Sequence, residues 1–339
     1  MAGVKAVHWT SRLLIGLALA FSALAPVAAQ AQAKHYRIGI INYAAPMGRP
    51  GEAPDPGGGK MPVKDALAKY GYVEGGNTTY HFLSAGRDLG KMDQLARDMV
   101  AWKPDVILTL MSNAGLYVMH ATANDPVPVV FWATDPLEEG LIKSYMRPGK
   151  NFTGFSYEPG YALKQMRVLK ILKPNLKKVA HLYNHTYSPA PSQRREIIEA
   201  GRWMGIEVKT YEVMTKEGLE PAFAQMKKDG MEAVSIGPHE VFNTNGPIIG
   251  PLSLKYGLPT MGCCQMSIVQ NGGTAAFGPP DGWPAMAERV DMILQGRAKV
   301  GDIPVLRMAP PMMLNLKSVK ALGLTAPDYL IDEADRLIQ

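Results

Sequence analysis

The sequence predicts an α/β protein of two doubly wound, Rossmann-like lobes joined by a multi-strand hinge, and three observations carry that prediction. From Tyr36 onward, short β-branched runs alternate with longer amphipathic stretches, the pattern of parallel strands linked by crossover helices. The alternation restarts after Asn151-Phe152-Thr153-Gly154, so a second half of similar layout follows the first. The strand and helix pieces at the C-terminus are too few for a third domain and return to complete the two lobes. Composition agrees: 47% of the 339 residues are hydrophobic, enough for a core in each lobe, and two cysteines exclude a disulfide-built scaffold. The 36 Lys+Arg against 30 Asp+Glu leave a net charge of +6, scattered without the dense basic stripe that a phosphate backbone demands, so nucleic acid is not an expected partner.

In chain order, residues 1–33 differ in kind from the rest. Lys5 and Arg12 form a positive region, residues 13–24 an apolar run, and Ala-Pro-Val-Ala-Ala-Gln-Ala-Gln-Ala follows. That is the pattern of a secretory signal peptide cleaved before Lys34, with cleavage after Ala29 or Ala31 meeting the same small-residue rule. The apolar run is shorter than the ~20 residues that span a bilayer. No cysteine near the cleavage region offers a lipid attachment point. An exported chain without a membrane anchor is expected.

Strands are predicted over 36–42, 78–84, 106–110 and 127–132, and helices over 63–70, 91–102 and 114–122. The second half reads as helix 161–172, strand 178–183, helix 192–204, strand 207–213, helix 219–228 and strand 233–236. The closing part reads as strand 274–277, helix 283–295, strands 305–308 and 313–315, and a helix fragment over 334–339. The expected division is 34–153 with 279–308 for the N-terminal lobe and 154–278 with 309–339 for the C-terminal lobe. Several crossings make a hinge, and the cleft between the lobes can then open and close. The loop 45–62, rich in Gly and Pro, is too long for a simple βα turn and reads either as a lid over that cleft or as a surface insertion.

Catalytic signatures fail on inspection. Gly57-Gly58-Gly59-Lys60 is followed by Met61, and Pro54 stands where a phosphate loop has its first Gly. Gly154-Phe155-Ser156-Tyr157-Glu158 begins like a nucleophile elbow, but Glu158 replaces the final Gly. His239-Glu240 begins a zinc-hydrolase motif, yet Asn243 occupies the place of the second His. No enzyme activity, metal or cofactor is expected. The adjacent Cys263 and Cys264 read as two reduced thiols packed as small apolar groups, since a bridge between neighbours closes only a strained ring.

A more coherent signal is the polar residues that follow successive strands. In doubly wound sheets ligands sit at the carboxyl ends of the strands. Ser112-Asn113 follows one strand and Ala133-Thr134-Asp135 the next; backbone N–H groups at a helix start, aided by hydroxyl or amide side chains, suit a carboxylate, although helix capping alone would select the same residues. Tyr183-Asn184 and Pro238-His239-Glu240 occupy the corresponding places in the second half and would face the first set across the cleft. Tyr43 and Trp132 add aromatic surface near the expected mouth, as a small-molecule pocket requires.

Several longer motifs together resemble the ABC-transporter substrate-binding protein family of the type I periplasmic-binding fold. They are Tyr70-Gly71-Tyr72-Val73-Glu74-Gly75 with Asn77, Leu95-Ala96 before Lys103-Pro104-Asp105-Val106-Ile107, Asp135-Pro136-Leu137-Glu138-Glu139-Gly140-Leu141, Arg147-Pro148-Gly149-Lys150-Asn151-Phe152-Thr153-Gly154, and Asn315-Leu316-Lys317-Ser318-Val319-Lys320-Ala321-Leu322-Gly323-Leu324. The resemblance implies a monomeric periplasmic protein that captures a small organic molecule, an amino acid, aromatic or carboxylate-bearing compound, and presents it to a permease and its ATPase. A ligand sensor docking on a receptor is the alternative output, and a hydrolase or lyase on the same scaffold a more remote one. Relatives bind aromatic amino acids, which implies a carboxylate at Ser112-Asn113 and Ala133-Thr134 and an acidic group of the second lobe facing the ammonium. Relatives often carry that Asp near the end of Ser235-Ile236-Gly237-Pro238, where this chain has Pro238 or His239. Unless Glu240 or Asp135 takes its place, an α-amino acid ligand lacks its counter-charge, and a buried ammonium without a partner is unfavourable by several kcal/mol.

Overall fold

The computed structural model describes residues 34–43, 61–157 and 160–339, so the expected signal peptide over 1–33 and the Gly/Pro loop as far as residue 60 lie outside the described residues. The first lobe opens with β1 (Tyr36–Asn42), α1 (Pro62–Ala68), β2 (Thr78–Ser84), α2 (Leu89–Ala101), β3 (Val106–Leu110), α3 (Ser112–Ala121), β4 (Val129–Ala133) and β5 (Phe152–Tyr157). The second contributes α4 (Tyr161–Leu172), β6 (Lys178–Tyr183), α5 (Ala190–Met204), β7 (Glu207–Glu212), α6 (Leu219–Lys228), β8 (Ala233–Ile236), α7 (Glu240–Asn243), α8 (Gly246–Tyr256), β9 (Thr260–Cys263), α9 (Met266–Gln270) and β10 (Ala275–Phe277). The chain then returns through α10 (Trp283–Leu294) and β11 (Leu306–Met308), and ends with β12 (Met312–Asn315), α11 (Leu316–Ala321), α12 (Asp328–Asp332) and β13 (Arg336–Ile338).

Six strands form the first sheet in the order β11-β5-β4-β3-β1-β2, and seven the second in the order β13-β12-β10-β9-β8-β6-β7. Every pairing is parallel except β10 with β12. Along β3, Val106, Leu108 and Leu110 enter one apolar layer and Ile107 the opposite one. This is the period of two that buries both faces of a sheet under helices. In the second sheet Val179 faces one layer, and Ala180 and Leu182 face the other.

The chain crosses between sheets three times: from β5 to α4, from β10 to α10, and from β11 to β12. Helix α10 lies on the first sheet, where Met286, Val290 and Leu294 pack with Ile38, Ile40 and Phe155. The expected lobe boundary between 153 and 154 falls inside β5, which pairs with β4 from Val129 opposite Phe152 to Ala133 opposite Ser156 and continues in the first sheet to Tyr157. Thr153 anchors the strand further, its hydroxyl donating to the Ile303 carbonyl at 2.8 Å.

Other differences share a cause. Strands β5 and β9 and helix α8 carry Gly, Pro or Ser where propensity favours none of these elements, and tertiary packing decides instead. In α8, a Cβ on Gly250 would stand 2.2 Å from the Asn271 carbonyl oxygen, so the helix approaches its neighbour only because that position is bare. The helix expected over 334–339 is instead β13, whose residues pair in parallel with β12.

Gly154 pairs with Phe131 across the sheet, and a Cβ there would lie 2.0 Å from the Phe131 carbonyl oxygen. Gly154→Ala should therefore lower the unfolding free energy by roughly 2 kcal/mol or more. Urea unfolding measures it, and a midpoint equal to that of the unaltered chain would show that the two strands separate at no cost.

Candidate functional site

Because all six strands of the first sheet and β6 to β10 of the second run parallel within their sheets, their carboxyl ends gather on one edge, and the loops leaving those edges meet between the lobes. After β3, Met111 adopts a φ of 74°, a left-handed backbone that turns the chain directly into α3. Asn113 on the first turn of that helix reaches the second lobe: its Nδ2 donates to the Thr186 carbonyl at 3.3 Å, and its Oδ1 accepts from the Ser188 amide at 3.0 Å. Ser112 is not a helix cap; its hydroxyl accepts from the Thr134 amide at 3.0 Å and ties the two turns of the first lobe together. Thr134 in turn meets the Tyr187 hydroxyl at 2.5 Å. Ala133 is the buried last residue of β4 and serves packing, in the layer with Ile41 and Tyr43.

The loop after β6 is shaped by Asn184. Its Oδ1 accepts from the Thr186 amide at 3.0 Å and the Thr186 hydroxyl at 2.6 Å, while its Nδ2 donates to the Val213 carbonyl at 2.9 Å. The residues presented to the first lobe are consequently Thr186, Tyr187 and Ser188, which the sequence reading did not single out. The Tyr183 ring is engaged elsewhere, stacked on His181 at 6.3 Å and facing the Arg194 guanidinium at 5.3 Å. His239 accepts from the Val241 amide through Nδ1 at 3.1 Å and meets the Thr186 hydroxyl through Nε2, also at 3.1 Å. Burial, then the nearby Arg87 charge, lowers its pKa to about 4, so at neutral pH it is an uncharged spacer.

Two chambers flank this polar seam. The outer one, about 670 Å³, is lined by Tyr43, Arg87, Asn184, Thr186, His239 and Glu240. It is spanned by the ion pair of Arg87 with Glu240 at 2.5 Å, which joins the lobes. The inner one, about 50 Å³, is walled by Thr134, Asp135, Tyr145, Tyr157, Tyr161 and Glu196. Pro238 borders a smaller void with Tyr161, His181 and Cys263. Of the expected site residues, Ser112, Asn113 and Thr134 lie on the seam, Tyr43, Asn184, His239 and Glu240 on the outer chamber and Asp135 on the inner one, while Ala133, Tyr183 and Pro238 lie apart from all three.

Beside the seam lies Glu139. Its Oε1 accepts from the Ser188 hydroxyl at 3.4 Å, whereas its Oε2 is buried without a hydrogen-bond partner. Burial, reinforced by the negative Asp135, raises its pKa to about 8. The sequence signal was the charged pair in Pro136-Leu137-Glu138-Glu139-Gly140, of which only Glu138 pairs outward, with Arg195 at 3.1 Å.

The remaining motifs are structural. Ser156 is the next-to-last residue of β5, fully buried and donating to the Tyr157 carbonyl at 3.1 Å, so its hydroxyl is turned to the backbone and not displayed as in a nucleophile elbow. Cys263 and Cys264 are free thiols with sulfurs 2.9 Å apart, and the Cys264 thiol donates to the Tyr157 hydroxyl at 3.2 Å. Among the described residues no group of three or more His, Cys, Asp or Glu could hold a metal ion, and no helix is long and apolar enough to cross a membrane.

Two α/β lobes whose strand ends face a common cleft define the class of two-lobed binding proteins of the type I periplasmic-binding fold. The chain belongs to the ABC transporter substrate binding protein family, whose sequence pattern matches residues 59–338. It is 25% identical over 263 residues to a tyrosine-binding protein of Clostridioides difficile (strain R20291), an alignment covering 76% of this chain and 74% of that protein. In fold it is similar to the ABC domain from Streptococcus pneumonia in complex with L-Trp, with a TM-score of 0.76 and 22% identity over 90% of this chain and 100% of that one. It is also similar to the ligand-free, open structure of a substrate binding protein with adhesive properties from Clostridium difficile, with a TM-score of 0.65 and 21% identity over 90% of this chain and 99% of that one.

Glu139 makes stability depend on pH in a defined direction. A carboxyl raised from 4.5 to about 8 in the folded chain contributes stability that is complete below 4.5 and is lost as the pH rises through 8. Glu139→Gln has no such proton to lose. Its melting temperature should stay flatter than that of the unaltered chain between about pH 5 and pH 9. Parallel pH profiles in differential scanning calorimetry would show that this carboxyl is not desolvated.

Proposed function

We propose that the chain is the exported binding component of an ABC importer, holding a small organic molecule between its lobes and delivering it to a permease and its ATPase as a monomer. The observation that carries this reading is the seam itself. Asn113 and Thr134 of the first lobe meet Thr186, Tyr187 and Ser188 of the second through direct hydrogen bonds. A molecule lodged against these groups touches both lobes only when the cleft is shut. Its binding free energy therefore shifts the population toward the closed form, which a permease can distinguish from the open one.

The chain's own interlobe contacts are weak by comparison. A typical intramolecular hydrogen bond contributes about 0.5–1.5 kcal/mol net. The Arg87–Glu240 pair, with the arginine side chain 46% exposed, adds about 0–1 kcal/mol at most. Closure thus stays within reach of ligand control. Family membership, the L-Trp complex of a protein of the same fold and the tyrosine-binding relative favour small amino acids and aromatic compounds as the ligand class. The leader-like residues 1–33 favour export. On this reading the first lobe, with residues 279–308 returned to it, and the second lobe move as bodies about the three crossings.

A thermal-shift screen of the chain lacking residues 1–33 against L-tyrosine, L-tryptophan and aromatic carboxylates should find a stabilising compound, since a ligand of the folded state raises apparent stability. Asn113→Ala should weaken that compound about ten-fold, the loss of roughly 1.4 kcal/mol of contact. Unchanged affinity would remove the seam from the site. Arg87→Ala should enlarge the radius of gyration of the ligand-free protein in X-ray scattering, and identical profiles would show that the pair does not hold the lobes together.

A further inference from the structure

We propose that the adjacent pair Cys263 and Cys264 is a reversible redox site, a dithiol that a small-molecule disulfide converts to a bridge between the two neighbouring residues. The proposal is independent of what the cleft binds.

These two are the chain's only cysteines, and both are free thiols. Successive side chains of a strand point to opposite faces, so two neighbours packed as small apolar groups would hold their sulfurs apart. Here the sulfurs meet at 2.9 Å. Cys263 ends β9, opposite Phe277 of β10, and Cys264 turns at once into a left-handed backbone with a φ of 67°. The Cys264 amide donates to the Phe277 carbonyl at 2.6 Å and holds that turn. A left-handed conformation is unusual for a residue other than glycine, and it replaces the alternation of the strand with convergence of the two thiols.

The two thiols differ in their surroundings. Cys264 is half-buried and its thiol meets the Tyr157 hydroxyl at 3.2 Å, whereas Cys263 is only 2% exposed. The hydrogen bond with Cys263 lowers the Cys264 pKa from its ordinary value, against the effect of burial and with help from Tyr157. Burial holds the Cys263 thiol well above its ordinary value. Cys264 is thus the thiol an oxidant can approach and the one that reaches its nucleophilic form first, and Cys263 is the resolving partner.

The reaction needs one co-reactant, a low-molecular-weight disulfide such as glutathione disulfide. The Cys264 thiolate attacks one of its sulfurs, forming a mixed disulfide and releasing one small thiolate. Cys263 then gives up its proton and attacks the Cys264 Sγ, forming the protein bridge and expelling the second thiolate. Two protein S–H bonds and the oxidant's S–S bond become one protein S–S bond and two small thiols. Two electrons pass to the oxidant, and both protons end on its thiols. Neighbouring Cα atoms stand about 3.8 Å apart, short of the roughly 4.4–6.8 Å that a relaxed disulfide spans. The bridge is therefore strained, and strained bridges are readily reduced, the property of a regulatory pair and not of a structural staple. Tyr157 belongs to the first sheet and Cys264 follows a strand of the second, so oxidation removes a donor from a contact between the lobes.

Intact-mass spectrometry of the purified chain tests this. Glutathione disulfide should lower the mass by about 2 Da, the two thiol hydrogens, and abolish alkylation by iodoacetamide, and dithiothreitol should restore both thiols. In a glutathione redox buffer the folded chain should hold the bridge at a ratio of disulfide to thiol about ten-fold lower than the same chain unfolded in urea, because the fold has already brought the sulfurs together. Cys263→Ser should stop at the mixed disulfide and keep one glutathionyl group. Cys264→Ser, which leaves only the buried thiol, should react about ten-fold more slowly than Cys263→Ser, with circular dichroism melts to confirm that both variants fold. An unaltered chain that keeps both thiols, accumulates a glutathionyl adduct or links to a second copy would overturn the proposal, whether or not the variants fold. Equal ratios for the folded and unfolded chain would overturn it as well, since adjacency in sequence would then account for the bridge.

Discussion

Parallel pairing governs this molecule. When strands of a sheet all run one way, each must be followed by a crossover, and every loop that leaves a carboxyl end emerges at the same edge. The first sheet and the parallel β6 to β10 of the second, linked by three crossings, bring those edges opposite one another. The seam of Asn113, Thr134, Thr186, Tyr187 and Ser188 is a product of that arrangement and not of proximity in sequence: Asn113 and Ser188 are separated by 75 positions, and Thr134 and Tyr187 by 53.

The chemistry of the cleft follows from what these loops cannot avoid burying. A carboxylate removed from water either finds a partner or holds its proton more tightly. Glu138 and Glu240 find arginines, and neither is forced into the interior alone. Asp135, Glu139 and Glu196 lie deeper, and their acidity weakens accordingly. Of the three, Glu139 is raised furthest and holds its proton at neutral pH, so the folded chain carries that group uncharged.

Much of the fold was legible because it rests on periodicity. Strand Lys178–Tyr183 and helices Tyr161–Leu172 and Leu219–Lys228 have the bounds that their apolar spacing predicts. What escaped was decided by neighbours. The run Phe152–Tyr157 is buried on both sides and has no alternation, so the restart of the pattern was read as a boundary although the strand belongs to the first sheet. Pro251 inside α8 and the three-residue β13 are settled by packing and by pairing with β12. At the site, strand ends pointed to Asn113 and Thr134, which lie on the seam. They could not show that Asn184 folds its loop back and advances Tyr187 instead of Tyr183. Nor could spacing distinguish Glu139 from Glu138, because which of two adjacent acids turns inward depends on the partner that Arg195 offers to one of them.

The return of the chain to its first lobe bears on how the molecule can be made. Strand β11 and helix α10 close the free edge and cover one face of the first sheet, yet they arrive only after the second sheet has received most of its strands. A ribosome releasing the polypeptide from its amino end leaves Phe155 and its neighbours uncovered for more than a hundred residues of synthesis. Neither half is then an autonomous folding unit that can finish before the other begins. The nascent protein must be shielded from self-association until its last segments emerge.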